Sequence, residues 1–322
     1  MELKIISNNL TAAEAVRKGL SSDPKQLAQW LLFNPQGSEL YTAVRNLPEY
    51  YITHCEKRLF DIYADAIAYN FRDESSQWDI IEFGAADGCK SKLLLDKMLR
   101  RRVKTHYYPV EMSLYYLRRL ERNLAEFDTL EITGIHAPHH RVLNPLPEEA
   151  APRLILMLGD VIGTFFPTEA TVFLSGLSAQ MDSRDRILVA FDMMKSPALI
   201  EKRHYDYEGL TSVFQKNVLT RINEEFRANF ELKNFEYWPV YDVTNGLCGS
   251  YLVSTMKQTI EIPALDLTVH FKPWETIRTM VHQKYSEQKI YKLASAANFA
   301  VDRILYDDQK YYALVFLKRR AS

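Results

Sequence analysis

Hydrophobic positions change rhythm along the chain near residue 76. Up to about residue 75 they recur at helical spacing. Lys25 to Leu32 is a short apolar-periodic run ended by Asn34-Pro35, and Leu40, Val44 and Leu47 follow a candidate N-cap at Ser38. Leu59, Ile62, Tyr63 and Ile67 mark one side of an amphipathic helix over Arg58 to Tyr69. From Trp78 onward the pattern becomes apolar blocks alternating with helical segments. Strands are expected at Trp78–Phe83, Thr105–Val110, Leu154–Leu158 and Arg186–Phe191, with helices at Lys90–Leu99 and Ser113–Asn123. Strands that are apolar throughout and alternate with helices predict a parallel sheet covered on both faces. Pro239 to Phe271 breaks that rhythm with meander-like strands at Tyr251–Ser254, Thr259–Ile262 and Leu267–Phe271, read as a small α/β or β insertion. A helix over Ser286–Ala297 and two strands, Ala300–Tyr306 and Tyr311–Lys318, predict an antiparallel pair that closes the sheet.

Composition narrows the function classes. Forty basic against forty-one acidic side chains leave a net charge of −1, which predicts neither a nucleic-acid footprint nor a membrane surface. Gly 11 and Pro 13 are too few for a low-complexity or collagenous chain. Cys55, Cys89 and Cys248 form no CxxC and read as reduced thiols of a cytoplasmic protein. The amino terminus lacks a secretory pattern, and no uncharged apolar stretch approaches the roughly 20 residues that span a bilayer. His139-His140, the only adjacent His pair, sits beside Pro138, and no metal site is expected there or elsewhere.

The sharpest motif is Glu82-Phe83-Gly84-Ala85-Ala86-Asp87-Gly88-Cys89-Lys90, placed where a strand becomes a helix. Its G-x-x-x-G spacing is neither a dinucleotide fingerprint nor a phosphate-binding P-loop. An acid just before the first glycine, with a second acid at the end of the next strand, is the pattern of S-adenosylmethionine sites. Glu111, ending Tyr107-Tyr108-Pro109-Val110, fills the second role and can accept hydrogen bonds from ribose hydroxyls. The blander alternative is that Gly84 and Gly88 only end a strand and open a helix; Glu111 favours the cofactor.

Leu47-Pro48-Glu49-Tyr50-Tyr51, preceded by Gly37-Ser38-Glu39-Leu40, resembles the histidine-specific Nα-methyltransferase family of ergothioneine synthesis. The likeness continues through Glu82–Lys90, Tyr108–Glu111, Leu158-Gly159, Ile162-Gly163, Asp192, Phe214–Asn223, Pro239–Asp242 and Gln283-Lys284-Tyr285, covering nearly the whole chain. It implies a class I S-adenosylmethionine methyltransferase: a Rossmann-like α/β core, mostly parallel with an antiparallel C-terminal strand pair, plus a smaller substrate-binding domain. On that basis residues 1–75 are the helical amino-terminal part of the substrate domain, and 76–195 the cofactor-binding core. Residues 196–285 are the substrate-domain insertion, and 286–322 complete the core. The cofactor residues implied are Glu82, Gly84, Gly88, Lys90, Glu111 and Gly159. Gly84 and Lys90 would meet the methionine end and Glu111 the ribose. Tyr50 or Tyr51 matches the amino-acid-binding tyrosine, and Tyr205 the one that holds the substrate carboxylate.

Departures from the family change the substrate. The family's G-S-x-I-G-N is Gly159-Asp160-Val161-Ile162-Gly163-Thr164 here, so Thr164 stands where Asn would grip the substrate amine. The E-x-S that reads imidazole is Met280-Val281-His282. The Gly-Asp bordering adenine is replaced by His136-Ala137-Pro138-His139. The expectation is an S-adenosylmethionine-dependent N-methyltransferase of a free amino acid or derivative other than histidine. Asp160, Thr164 and Tyr205 are its catalytic candidates; Tyr50, Tyr51, Tyr205, Met280 and His282 contact the small-molecule substrate. Two alternatives are an enzyme that consumes S-adenosylmethionine itself, releasing methylthioadenosine, and a non-catalytic cofactor-binding relative.

Overall fold

The computed structural model describes residues 1–6, 10–138 and 151–320. These fold as two compact units, the first drawn from Met1–Ser7, Tyr51–Met194 and Gln283–Ser322, the second from Asn8–Tyr50 and Lys195–His282.

In the first unit, strands numbered along the chain are β1 (Glu2–Ile5), β3 (Gln77–Phe83), β4 (Lys104–Glu111), β5 (Glu131–His136), β6 (Arg153–Met157), β7 (Arg186–Asp192), β13 (Phe299–Tyr306) and β14 (Tyr312–Arg319). They form one sheet in the order β1-β5-β4-β3-β6-β7-β14-β13. The first six are parallel, and β14 enters antiparallel between β7 and β13. This is the mostly parallel sheet with an antiparallel C-terminal pair that the resemblance implies, with β1 added at one edge. Burial explains the apolar runs: every residue of β3 from Trp78 to Phe83 is buried, as a sheet covered on both faces requires. The covering helices include α3 (Tyr51–Glu74), α4 (Lys92–Arg100), α5 (Leu114–Asn123), α6 (Pro167–Gln180) and α9 (Glu287–Ala296). Strand order reverses at β3, which has β4 on one side and β6 on the other. Ligands of open α/β sheets bind at the carboxyl ends of the strands flanking such a point.

The second unit holds α1 (Ala12–Leu20), α2 (Pro35–Arg45), α7 (Pro197–His204), α8 (Leu210–Phe226) and two small sheets. One runs β2 (Lys25–Gln26), β12 (Thr276–Gln283), β9 (Leu247–Ser254), β8 (Phe235–Asp242); the other is the hairpin of β10 (Gln258–Ile262) and β11 (Leu267–Phe271).

Four expectations for the amino-terminal part change. Residues 2–5 are a strand, not helix, because the alternation Glu2-Leu3-Lys4-Ile5 has period two and finds a partner in β5. The Lys25–Leu32 run is a two-residue strand followed by a 3₁₀ turn over Gln29–Leu32. The cap of α2 is Asn34, whose Oδ1 accepts from Gly37 N at 2.8 Å; Ser38 is buried inside the helix. Pro35 at the first helical position needs no hydrogen-bond acceptor, so the helix starts earlier than Ser38. Finally, α3 belongs to the first unit, where its apolar stripe packs on α4 and β14, rather than to the segment expected over 1–75.

Candidate active site

Three loops meet at the carboxyl ends of β3, β4 and β6. After β3 the chain takes positive φ at Gly84 (69°), Ala86 (49°) and Gly88 (74°), and after β6 at Gly159 (71°). Such values suit glycine and strain alanine. They turn backbone N–H groups inward: Ala86 N donates to Glu111 Oε2 at 2.9 Å, while Met112 N and Ser113 N donate to Oε1 at 2.8 and 3.0 Å. Burial raises the Glu111 pKa, and those three donors together with Lys90 oppose the rise. A carboxylate offers about four acceptor positions, so capacity remains for a ligand hydroxyl.

Lys90 lies just outside α4, whose N-cap is Ser91. Its Nζ donates to Gly84 O at 2.8 Å, and a Cβ added at Gly159 would lie 3.3 Å from it. A single ammonium thus sits between the ends of β3 and β6, at the reversal point. Beneath it Glu82 is fully buried and accepts from the Tyr107 hydroxyl. Burial raises both pKa values, Tyr107 further through the Glu82 charge. Glu82 therefore supports the loop from below, and Gly88 packs toward Leu120. His136, at the end of β5, places Nε2 3.0 Å from Met112 O; His139 and His140 lie outside the described residues.

The Gly159 turn carries a second cluster. Gly159 N donates to Glu56 Oε1 at 2.6 Å, and Tyr312 Oη lies 2.6 Å from the same oxygen and 2.5 Å from Gly159 O. Asp160, 7% exposed, lies 3.3 Å from Lys284 Nζ, which is 2.6 Å from Asp192 Oδ2. Tyr51 Oη donates to Asp192, 2.9 Å from each oxygen. Thr164 Oγ1 donates to Val161 O at 2.7 Å.

The second unit holds the remaining candidates. Tyr50 is buried; its hydroxyl is 2.9 Å from Tyr41 Oη and 3.3 Å from Arg203 Nη2, and the Arg203 guanidinium stacks 4.7 Å from its ring centroid. Met280 and His282 are each 5% exposed, with His282 Nε2 3.0 Å from Met280 Sδ. Gln215 Nε2 approaches the same sulfur at 3.7 Å, and the His204 and His282 rings lie 5.0 Å apart. Tyr205 is 61% exposed at the end of α7.

Sequence reading brought together Glu82, Gly84, Lys90, Glu111 and Gly159 but passed over Glu56, Tyr312 and Arg203, and gave His204 and Gln215 no role. Glu56 left a signal: it stands at helical spacing among buried Ile52, Leu59 and Phe60, an acid within an apolar stripe. Lys284 and Asp192 entered only as part of a likeness, with no role attached.

A model of the histidine-specific, S-adenosylmethionine-dependent methyltransferase family matches residues 12–319. The chain belongs to that family. It is a class I S-adenosylmethionine-dependent methyltransferase of an N-methylating lineage. Histidine N-alpha-methyltransferases of Mycolicibacterium smegmatis and Mycobacterium tuberculosis are 29% and 27% identical to it, over 89% and 90% of this chain and 89% of each relative. The 4-dimethylallyltryptophan N-methyltransferase easF of Epichloe festucae var. lolii is 25% identical over 92% of both. Among the described residues no helix is long and apolar enough to cross a membrane, and no group of three or more His, Cys, Asp or Glu could hold a metal ion.

Proposed function

We propose that the enzyme methylates the α-amino group of a free amino acid, or a close derivative, whose side chain is not imidazole. The observation that carries this is the buried Met280–His282 contact. Where the family places a Glu that pairs with a ring N–H and a Ser beside it, this chain has a thioether and a second imidazole. A site built to hydrogen-bond a polar group rejects ligands strongly because each unpaired buried partner costs about 1–3 kcal/mol. Without those partners histidine has no basis for preference, and the soft, polarisable Met280 thioether suits an aromatic or aliphatic group. A relative named for a prenylated tryptophan is consistent with such a group.

The donor set fits the cofactor: a rigid carboxylate for a hydroxyl, and one ammonium for an amino-acid carboxylate. Glu111 would hold the ribose, Lys90 with the Gly84 and Gly159 backbone the methionine end, and Glu82 and Gly88 the shape of the loop. When bound, S-adenosylmethionine supplies an electrophilic methyl on a positively charged sulfur. The protein's task is alignment and water exclusion rather than covalent chemistry. Asp160 pairs with the substrate ammonium, which gives up a proton to solvent before its lone pair attacks the methyl. Thr164, whose hydroxyl proton is committed to Val161 O, accepts from the amine. The Tyr205 hydroxyl donates to the substrate carboxylate, and Tyr50 and Tyr51 shape the amino-acid end.

The test is incubation of the pure protein with S-adenosylmethionine and an amino-acid pool, read by mass spectrometry. S-adenosylhomocysteine with an N-methyl amino acid is expected. Methylthioadenosine without a methylated product, or no product at all, would sink the reading. Histidine turned over as fast as the best amino acid would sink its substrate half.

A further inference from the structure

Gly159 is gripped by side chains on both of its main-chain groups. Its N–H donates to Glu56 Oε1 at 2.6 Å, and the Tyr312 hydroxyl lies 2.5 Å from its carbonyl oxygen. Among the described residues no main-chain hydrogen bond reaches it. Glu56 stands in α3 and Tyr312 opens β14; both are buried, and their own contact at 2.6 Å closes the three groups into a ring. Tyr312 is itself fixed, since its N–H donates to Asp307 Oδ1 at 2.6 Å and it pairs with Asp192 across β14 and β7. Glu56 is a poor choice for packing alone. It interrupts the apolar stripe of Ile52, Leu59 and Phe60, and a carboxylate is buried favourably only where hydrogen bonds compensate. The bonds that compensate here are those to Gly159 and Tyr312. What they hold bears on the site, because Gly159 has φ 71° and an added Cβ would lie 3.3 Å from Lys90 Nζ. The gap between Gly159 and that ammonium is therefore set by two side chains 103 and 153 residues away.

We propose that Glu56 and Tyr312 are positioning residues for the methyl donor. They fix the Gly159 backbone at the distance from Lys90 that admits the amino-acid end of S-adenosylmethionine. This rests on the reading that Lys90 and the Gly84 and Gly159 backbone meet the methionine end. Because the pair acts on one end of the cofactor, its loss must fall on ligands that carry the amino-acid end and spare those that lack it.

The experiment compares the binding of two ligands by calorimetry. S-adenosylhomocysteine keeps the amino-acid end; methylthioadenosine keeps the nucleoside and a thiomethyl group but has no amino-acid end. Glu56→Leu keeps the bulk and removes the acceptor. It should raise the S-adenosylhomocysteine Kd about 10-fold, equivalent to about 1.4 kcal/mol, and leave the methylthioadenosine Kd within about 2-fold. Tyr312→Phe should shift the same ratio in the same direction. Glu56→Gln, whose amide oxygen still accepts from Gly159 N, should restore most of the affinity. If Glu56→Leu does not fold, Tyr312→Phe carries the comparison. Both Kd values raised by one factor, or neither raised, would overturn the proposal and leave the pair a packing role. Gly159→Ala tests the reading beneath it, since strain at the positive φ and the approach to Lys90 should raise the S-adenosylhomocysteine Kd selectively. If it does not, Gly159 is not at the methionine end and reading and proposal fall together. If it does while the Glu56 and Tyr312 variants bind both ligands as wild type, the positioning proposal alone falls.

Discussion

The loops proposed to hold the cofactor in the first unit and the side-chain cluster proposed to meet the substrate in the second are built in different ways. Glu111 is gripped by three backbone N–H groups, and Lys90 is anchored on the Gly84 carbonyl. Main-chain groups persist under substitution provided the dihedral angles do. Met280, His282, Gln215 and Thr279 instead meet through side chains, with Thr279 Oγ1 donating to Gln215 Oε1 at 2.5 Å. One changed residue there alters what every neighbour can bond. Divergence of substrate with retention of methyl donor is what this division of labour predicts.

Substitutions on the two sides should therefore separate cleanly. Glu111→Ala should weaken S-adenosylmethionine binding by about 1.5–3 kcal/mol, the worth of charge-assisted hydrogen bonds, without reordering amino-acid preference. Calorimetry showing unchanged affinity would remove Glu111 from the site. Tyr205→Phe should impair all amino-acid substrates by one common factor, roughly 10-fold for about 1.4 kcal/mol. A true substrate left untouched would mean that it has no carboxylate at that position. Met280→Glu should raise the ratio of histidine turnover to that of the best substrate by about 3-fold, somewhat under 1 kcal/mol, with cofactor Kd unchanged; a shift in cofactor Kd would break the separation.

The smallest effect is acid sensitivity. Burial raises the Glu111 pKa above the usual carboxylate value. In the proposed site its ionised form accepts the ribose hydroxyls, so affinity should be present at neutral pH and lost as pH falls through that raised value. The loss begins at higher pH than for an ordinary glutamate. Binding titrations down to about pH 5 should show the decline, and Glu111→Gln should flatten it; an unaltered slope in that variant would assign the titration elsewhere.

The core strands were legible because burial on both faces leaves a mostly apolar run, as in Ile187–Phe191 and, with only Asp79 and Glu82 interrupting, Trp78–Phe83. The site was legible where chemistry sits on glycines and strand ends, as with Gly84 and Glu111. It was opaque where partners are distant in sequence. Nothing near Glu56 names Tyr312, 256 residues away, and Lys284 shows its partners only once β7 and the Gly159 turn are in place. Short edge pieces such as β1 and β2 carry too few residues for a period to emerge.

Ala86 adopts φ 49° while its N–H serves Glu111. A left-handed alanine costs roughly 1–2 kcal/mol in the folded protein. Glycine would remove that cost but bring about 0.4–1 kcal/mol of extra freedom to the unfolded chain. The strain is the larger of the two, by up to about 1.6 kcal/mol, so glycine is tolerated at position 86 and the backbone angle is what the loop requires. What Glu111 needs from position 86 is a direction for one N–H, and any residue that holds that angle supplies it.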